Sequence, residues 1–386
     1  MVAAAAGAAA LVATNCDTTG PVPDDPIVWR TPRFVVTGRA VLTDTSVIVG
    51  ARDAGSLVSL DRQTGAILWE RRLDEFGAFF GRSLAEHGDL VYAAPFDLYA
   101  VDKATGIVRW TYRAGGGTHM SRYPAVAEGS LFVATSFGEV LRLEPNTGTV
   151  EWRVDLGEAV FPAAVAEGLV LVGTRSFADT VTRAGPLGAG RVVALSAADG
   201  TLVWEVAVPD SAGFPLSGGV FAPPLVIDDV VVVGTRSSRV LGLRLSDGAK
   251  LWEHAEGSPV RSVYSNPAVR FGDVAVLLRG DGLLEAFEPA SGRRLWTVGQ
   301  GGGAALSAPE AVGERLYAMF HVNLWIIRPG GTVEWRYGKR RDGDGLPVFQ
   351  TGLTVAPDGI IYASWVDETE GRTSFFGAIR PPSLMN

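Results

Sequence analysis

The chain has 386 residues, 47% hydrophobic and 20% charged, a balance that excludes a disordered polymer and leaves ample material for a folded core. A net charge of -8 supplies no basic footprint, which argues against nucleic acid or an anionic lipid surface as partner. One cysteine excludes an internal disulfide and a cysteine-based zinc cluster, while 48 glycines and 22 prolines imply many turns and therefore many short strands.

In chain order, residues 1–15 form a signal-like segment. Val2 to Ala13 is an unbroken run of Val, Ala, Gly and Leu, too short to cross a bilayer and about the length of a secretory apolar region. Cys16 follows, and residues 16–25 are polar and Pro-containing, suited to a tether. The arrangement resembles a bacterial lipoprotein export signal with Cys16 as the acylated residue. A basic leader is missing and Asn15 stands where Gly or Ala is usual, so an ordinary secretory signal or an unprocessed apolar tail also fits.

From residue 26 onward one unit recurs. LDRQTGAILWE (60–70), VDKATGIVRWT (101–111) and LEPNTGTVEWR (143–153) are followed by LSAADGTLVWE, LRLSDGAKLWE, FEPASGRRLWT and IIRPGGTVEWR. Each is preceded by an apolar or alternating run, which reads as strand, turn, strand. The Gly suits a hairpin needing positive φ, and the Trp on the following strand has the area to wedge between neighbouring units. Trp69, Trp110, Trp152, Trp204, Trp252, Trp296 and Trp335 fall 39 to 52 residues apart, the period of a four-stranded propeller blade. GAIRPPS (377–383) stops before its Trp, and DDPIVWR (24–30) supplies Trp29. The expected architecture is all-β: one eight-bladed propeller over residues 26–386, closed by pairing the first strand with the last ones.

The pattern of Asp, two variable residues, Thr-Gly and Trp resembles the tryptophan-docking repeat of the pyrroloquinoline-quinone (PQQ)-like propellers, VSLDRQTGAILW and YAVDKATGIVRW being the nearest copies. That superfamily includes quinoprotein alcohol dehydrogenases, which hold PQQ and calcium, and cofactor-free propellers such as the lipoprotein of the outer-membrane β-barrel assembly machinery, to which this chain is nearest in size. The dehydrogenases carry a vicinal disulfide, Asn and Glu calcium ligands and an Asp base. Here Cys16 is the only cysteine, and Asn266 is the one Asn placed to face inward. No cofactor and no catalytic residue is expected. The four histidines lack metal-ligand spacing, and RDGDG (341–345) starts like a calcium loop but lacks its later ligands.

Binding residues are expected where the blades meet the central channel. SRYPAV, VFPAAV, FAPPLV, YSNPAV and LSAPEAV approach it, giving Arg122, Tyr123, Phe161, Phe221, Arg261, Tyr264 and Asn266 as candidate partner-binding residues. The same residues equally suit packing beneath loops. A second candidate surface comprises the insertion at 174–190 and the stretch 71–89, whose Phe76, Phe79 and Phe80 form an apolar cluster. The resemblance implies a monomeric scaffold for protein partners at the bacterial envelope, touching membrane only through an N-terminal anchor. A PQQ- and calcium-binding oxidoreductase, a ligand-sensing or carbohydrate-binding propeller, and a soluble periplasmic or extracellular location are the alternatives.

Overall fold

A computed structural model describes residues 26–32, 34–36, 38–52, 55–73, 84–113, 120, 124–179, 184–187, 189–208, 219–255, 264, 266–299, 307–320, 323–338, 348–349, 352–367 and 373–382. The signal-like segment, the tether and Cys16 lie outside them. Eight antiparallel sheets follow one another: blade 1 over 41–72, blade 2 over 85–112, blade 3 over 125–155, blade 4 over 159–208, blade 5 over 225–255, blade 6 over 269–299, blade 7 over 310–338 and blade 8 over 348–379. The first strand, Ile27–Pro32, is the outer strand of blade 8 and pairs with Thr373–Ile379. The ring is closed as the split repeat predicts.

Position within the blade explains each strand's composition. Second and third strands are covered on both faces by adjacent blades, so Ser46–Ala51 is buried throughout and Ser56–Asp61 nearly so. Outer strands have one wet face, and Val150–Asp155 alternates half-buried with exposed residues. The core is accordingly sliced into layers between blades. Val47 and Val49 of blade 1 pack on Tyr362 and Phe376 of blade 8, and Val232 of blade 5 packs with Leu277 and Phe287 of blade 6.

The repeated turn is held locally before it is used for docking. Asp61 Oδ1 accepts the Thr64 N–H and the Thr64 hydroxyl, both at 2.8 Å, and Asp102 holds Thr105 in the same way. The Thr thus folds the turn, and the Gly after it receives the Trp of the preceding blade. A Cβ on Gly65 would lie 2.3 Å from the Trp29 ring, and one on Gly292 2.3 Å from Trp252. Both glycines have φ near +70, so position and conformation each demand Gly. The Trp Nε1–H groups then donate to carbonyls of the same turns, Trp29 to Arg62 at 2.8 Å, Trp69 to Lys103 at 3.0 Å and Trp252 to Pro289 at 2.6 Å. Trp110, Trp152 and Trp204 donate to Pro145, Ala197 and Leu245.

Two junctions depart from this pattern. Trp296 stands further from its glycine, Gly331, with the nearest approach of a Cβ at 3.1 Å. Trp335 meets blade 8, whose corresponding turn is replaced by the two chain ends, tied by Arg380 N–H to Pro26 O at 2.8 Å. It packs instead with Ile27 on the cluster of Trp365, Phe375 and Ile379, its ring stacked on Tyr337 at 5.5 Å.

Candidate partner-binding face

In a four-stranded antiparallel blade, the segment leading into the first strand and the connection between the second and third strands share one end, and the Thr-Gly turns occupy the other. Of the channel-mouth residues, Phe161, Phe221 and Tyr264 therefore lie on the same face as the described part of the 174–190 insertion. Within the insertion, Phe177–Asp179 pairs with Ala184–Leu187 in a small hairpin of its own. It follows directly after Arg175, which places the insertion beside the lead-in residue Phe221, whereas residues 74–83 of the other expected stretch lie outside the described residues.

Blades 4 and 5 build this face with the same five residues. Val-Gly-Thr-Arg-Ser occurs at 172–176 and again at 233–237, each time at the end of a second strand. The Gly lets the next blade's lead-in segment press close: a Cβ on Gly173 would be 2.5 Å from the Val220 side chain, and one on Gly234 2.6 Å from Tyr264 Cβ. The Thr carbonyl then captures that segment. Val220 N–H donates to Thr174 O at 3.3 Å, and Tyr264 N–H donates to Thr235 O at 3.2 Å.

The two arginines of the repeated pentapeptide meet at one ring. The Arg175 guanidinium carbon lies 4.9 Å from the Phe221 centroid and that of Arg236 lies 4.8 Å from it. Phe161 stacks on Phe221 at 4.1 Å with the planes 32° apart. Both phenylalanines are half-buried, Arg175 is buried, and Arg236 is half-buried with an Nε that has no hydrogen-bond partner. The Arg175 stem crosses Gly219, where a Cβ would be 2.0 Å from its Cγ, and Arg236 N–H donates to Gly219 O at 3.1 Å. Sequence reasoning selected Phe161 and Phe221 but missed Arg175 and Arg236; the doubled VGTRS was the available signal.

The other expected residues distribute differently. Tyr264 is only 1% exposed, and its hydroxyl donates to Glu285, which is wholly buried and also holds Arg279 at 3.2 Å and Arg294 at 2.7 Å. Its position as a partner-binding residue is corrected: it is a pillar under blade 6, because its hydroxyl satisfies a buried carboxylate. Hydrogen bonding to Asp281 holds the Arg279 guanidinium more firmly protonated than usual. Asn266 is half-buried just before the strand Val269–Phe271. Arg122, Tyr123, Arg261, Phe76, Phe79 and Phe80 lie outside the described residues.

Glu310, on the first strand of blade 7, is a buried carboxylate. Its Oε2 accepts the Val355 N–H at 2.8 Å and its Oε1 pairs with Arg39 at 2.6 Å, so it ties blade 7 to blade 8 and to the lead-in of blade 1. Burial pushes its pKa up. Among the described residues no three His, Cys, Asp or Glu side chains are grouped to hold a metal ion, and no helix is long and apolar enough to cross a membrane.

Comparison with known proteins matches this architecture. The sequence profile described as "Outer membrane protein assembly factor BamB" matches residues 22–122, 94–263 and 188–356. The protein of that name from Yersinia pestis is 29% identical over 349 residues, which is 85% of this chain and 73% of the relative. Relatives of the same name from Nitrosomonas eutropha and Moranella endobia are matched over only 30% and 50% of their lengths. Among solved structures, BamB from Moraxella catarrhalis superposes with a TM-score of 0.62 at 17% identity, covering 90% of this chain and 99% of that one. The quinohemoprotein alcohol dehydrogenase of Comamonas testosteroni gives 0.68 at 13% identity, covering 92% and 78%. At such identities both superpositions speak for the fold alone.

Proposed function

Because the chain belongs to the family of outer membrane protein assembly factor BamB, we propose that it is a non-catalytic propeller scaffold in outer-membrane protein assembly, holding protein partners at the envelope. The family match across residues 22–356 carries this reading. The aromatic pair Phe161 and Phe221, placed on the face where loops gather, supports it as the place of contact. Export and anchoring through Cys16 belong to the same proposal and rest on the sequence of residues 1–25.

The donor set does not fit PQQ and calcium. One cysteine cannot form the vicinal disulfide that the quinoprotein resemblance calls for. Both oxygens of Glu310 are already engaged, one by an arginine. The test is affinity capture from detergent extracts of the source bacterium's envelope, alongside calorimetric titration with PQQ and calcium and a dye-coupled alcohol oxidation assay. Co-purification of outer-membrane assembly proteins is expected. Saturable PQQ binding with turnover, and no captured partner, would overturn the scaffold reading.

A further inference from the structure

Glu310 stands where the other blades avoid a charge. In blades 2 to 6 the residue two places before the end of the first strand is Ala85, Ala125, Ala164, Leu225 and Val269. Blade 7 puts Glu310 there, opposite Tyr317, with its side chain only 10% exposed. An ionised carboxyl taken out of water needs compensation, and two neighbours of different kind supply it. Val355 N–H, a neutral backbone donor, bonds to Oε2 at 2.8 Å, whereas the Arg39 guanidinium, a full charge, lies 2.6 Å from Oε1.

We propose that Glu310 and Arg39 form a proton-operated latch, in which a proton taken up at Glu310 Oε1 dissolves the ion pair and releases the Arg39 side chain while the ring stays closed. The two bonds respond differently to the proton. A neutral carboxyl still accepts the Val355 N–H through its carbonyl oxygen, but at Oε1 an O–H then faces a guanidinium that can only donate. Water already reaches the Arg39 side chain, which is 64% exposed. Its backbone stays seated meanwhile. The Arg39 carbonyl accepts the Leu84 N–H at 3.2 Å, Ala40 N–H donates to the Thr354 hydroxyl at 2.8 Å, and Val36 N–H donates to the Ser364 hydroxyl at 3.0 Å. The latch thus moves one side chain at the meeting of blades 7, 8 and 1 and leaves the strands in place.

Among the described residues, the other titratable groups packed around Glu310 are committed elsewhere. The Tyr317 hydroxyl is bound by Arg315, which also pairs with Glu334 at 2.8 Å. Arg270, on the first strand of blade 6, lies 3.9 Å from both Asp228 and Asp273, and the blade 8 strand Thr354–Val355 carries no charge. Burial pushes the Glu310 carboxyl above the ordinary 4.5, against the pull of Arg39. The folded chain therefore binds this proton more readily than the unfolded chain. As pH falls through the folded value the group adds to stability, and nothing more is gained below 4.5. A latch of this sign opens without unfolding. It goes beyond the scaffold reading and does not depend on it, since it acts in the isolated chain.

The experiment is a nuclear magnetic resonance pH titration of the full chain carrying isotope-labelled glutamate and arginine, with signals assigned by sequential connectivity. The Glu310 carboxyl carbon should titrate with a midpoint above 4.5, and the Arg39 Nε–H should shift with the same midpoint while the signals of the folded ring persist. In Arg39→Met the Glu310 midpoint should rise further, because the cation that favours the charged form is gone. In Glu310→Gln the Arg39 signal should stop responding over that range and hold its acid position. A Glu310 midpoint at or below 4.5, an Arg39 signal that ignores the Glu310 titration, or loss of the folded signals at that midpoint overturns the latch. All three are read in the wild-type protein, so they decide the matter even if a variant fails to fold.

Discussion

The two ends of the blades solve the same problem, fixing one sheet to the next, by opposite means. At the Thr-Gly end a single device recurs: an indole over a glycine, with its N–H on a neighbouring carbonyl. At the lead-in end the fastening varies around the ring, although blades 4 and 5 share one form of it. Val220 is held by Thr174 O, Tyr264 by Thr235 O and a buried glutamate, and Val36 by the Ser364 hydroxyl at 3.0 Å. Uniform fastening at one end lets the other vary without loss of the ring, and a surface that varies is one on which a binding site can be assembled.

The largest expected effect breaks the fastening altogether. Deleting residues 26–32 removes the outer strand of blade 8 and with it the buried Trp29, and should lower unfolding free energy by more than about 5 kcal/mol in urea titrations. An unchanged midpoint would mean that the ring does not depend on this closure. A finer cut compares two glycines at positive φ. Gly292→Ala meets the Trp252 ring and should cost about 3 kcal/mol, whereas Gly88→Ala meets nothing within 4 Å and should cost about 1 kcal/mol. Equal costs would show that backbone conformation, and not the indole, demands the glycine.

At the lead-in end, Phe221→Ala should lower stability by about 1 to 2 kcal/mol, since the ring is half-buried, while abolishing partner capture. Capture at wild-type level would move the binding surface elsewhere. The smallest effect is one of pH. The Arg109 guanidinium, with the Thr105 hydroxyl, holds Asp102 at about 2, below the ordinary 3.8. A depressed carboxylate stabilises the fold above its unfolded value and loses that contribution as pH falls through its folded one. Thermal melts between pH 4 and 2 should therefore fall less steeply in Asp102→Asn than in wild type.

What could be read from the sequence follows the same division. Periodic features were legible: eight blades, the split closing blade and the Trp positions all emerge because one physical device is written repeatedly. Even there, the sequence marks Gly as a turn former and Trp as a wedge but does not show that one blade's Trp sits on the next blade's Gly. The face that varies was legible only in part. Phe161 and Phe221 stand out as aromatics beside proline, but their pairing depends on how blade 4 meets blade 5, and Tyr264 looked the same while pointing inward to Glu285. Arg175 and Arg236 were obscure because arginine is common in this chain, and only their shared setting in VGTRS distinguishes them.

The pairing of Ile27–Pro32 with Thr373–Ile379 has a consequence in time. Of the propeller's strands, the first in chain order finds its partner in the last. Closure therefore cannot occur before Thr373–Ile379 has been made, whatever the order in which the other blades form. Until that strand arrives, an arc of blades presents two open sheet edges, the feature that a closed ring removes.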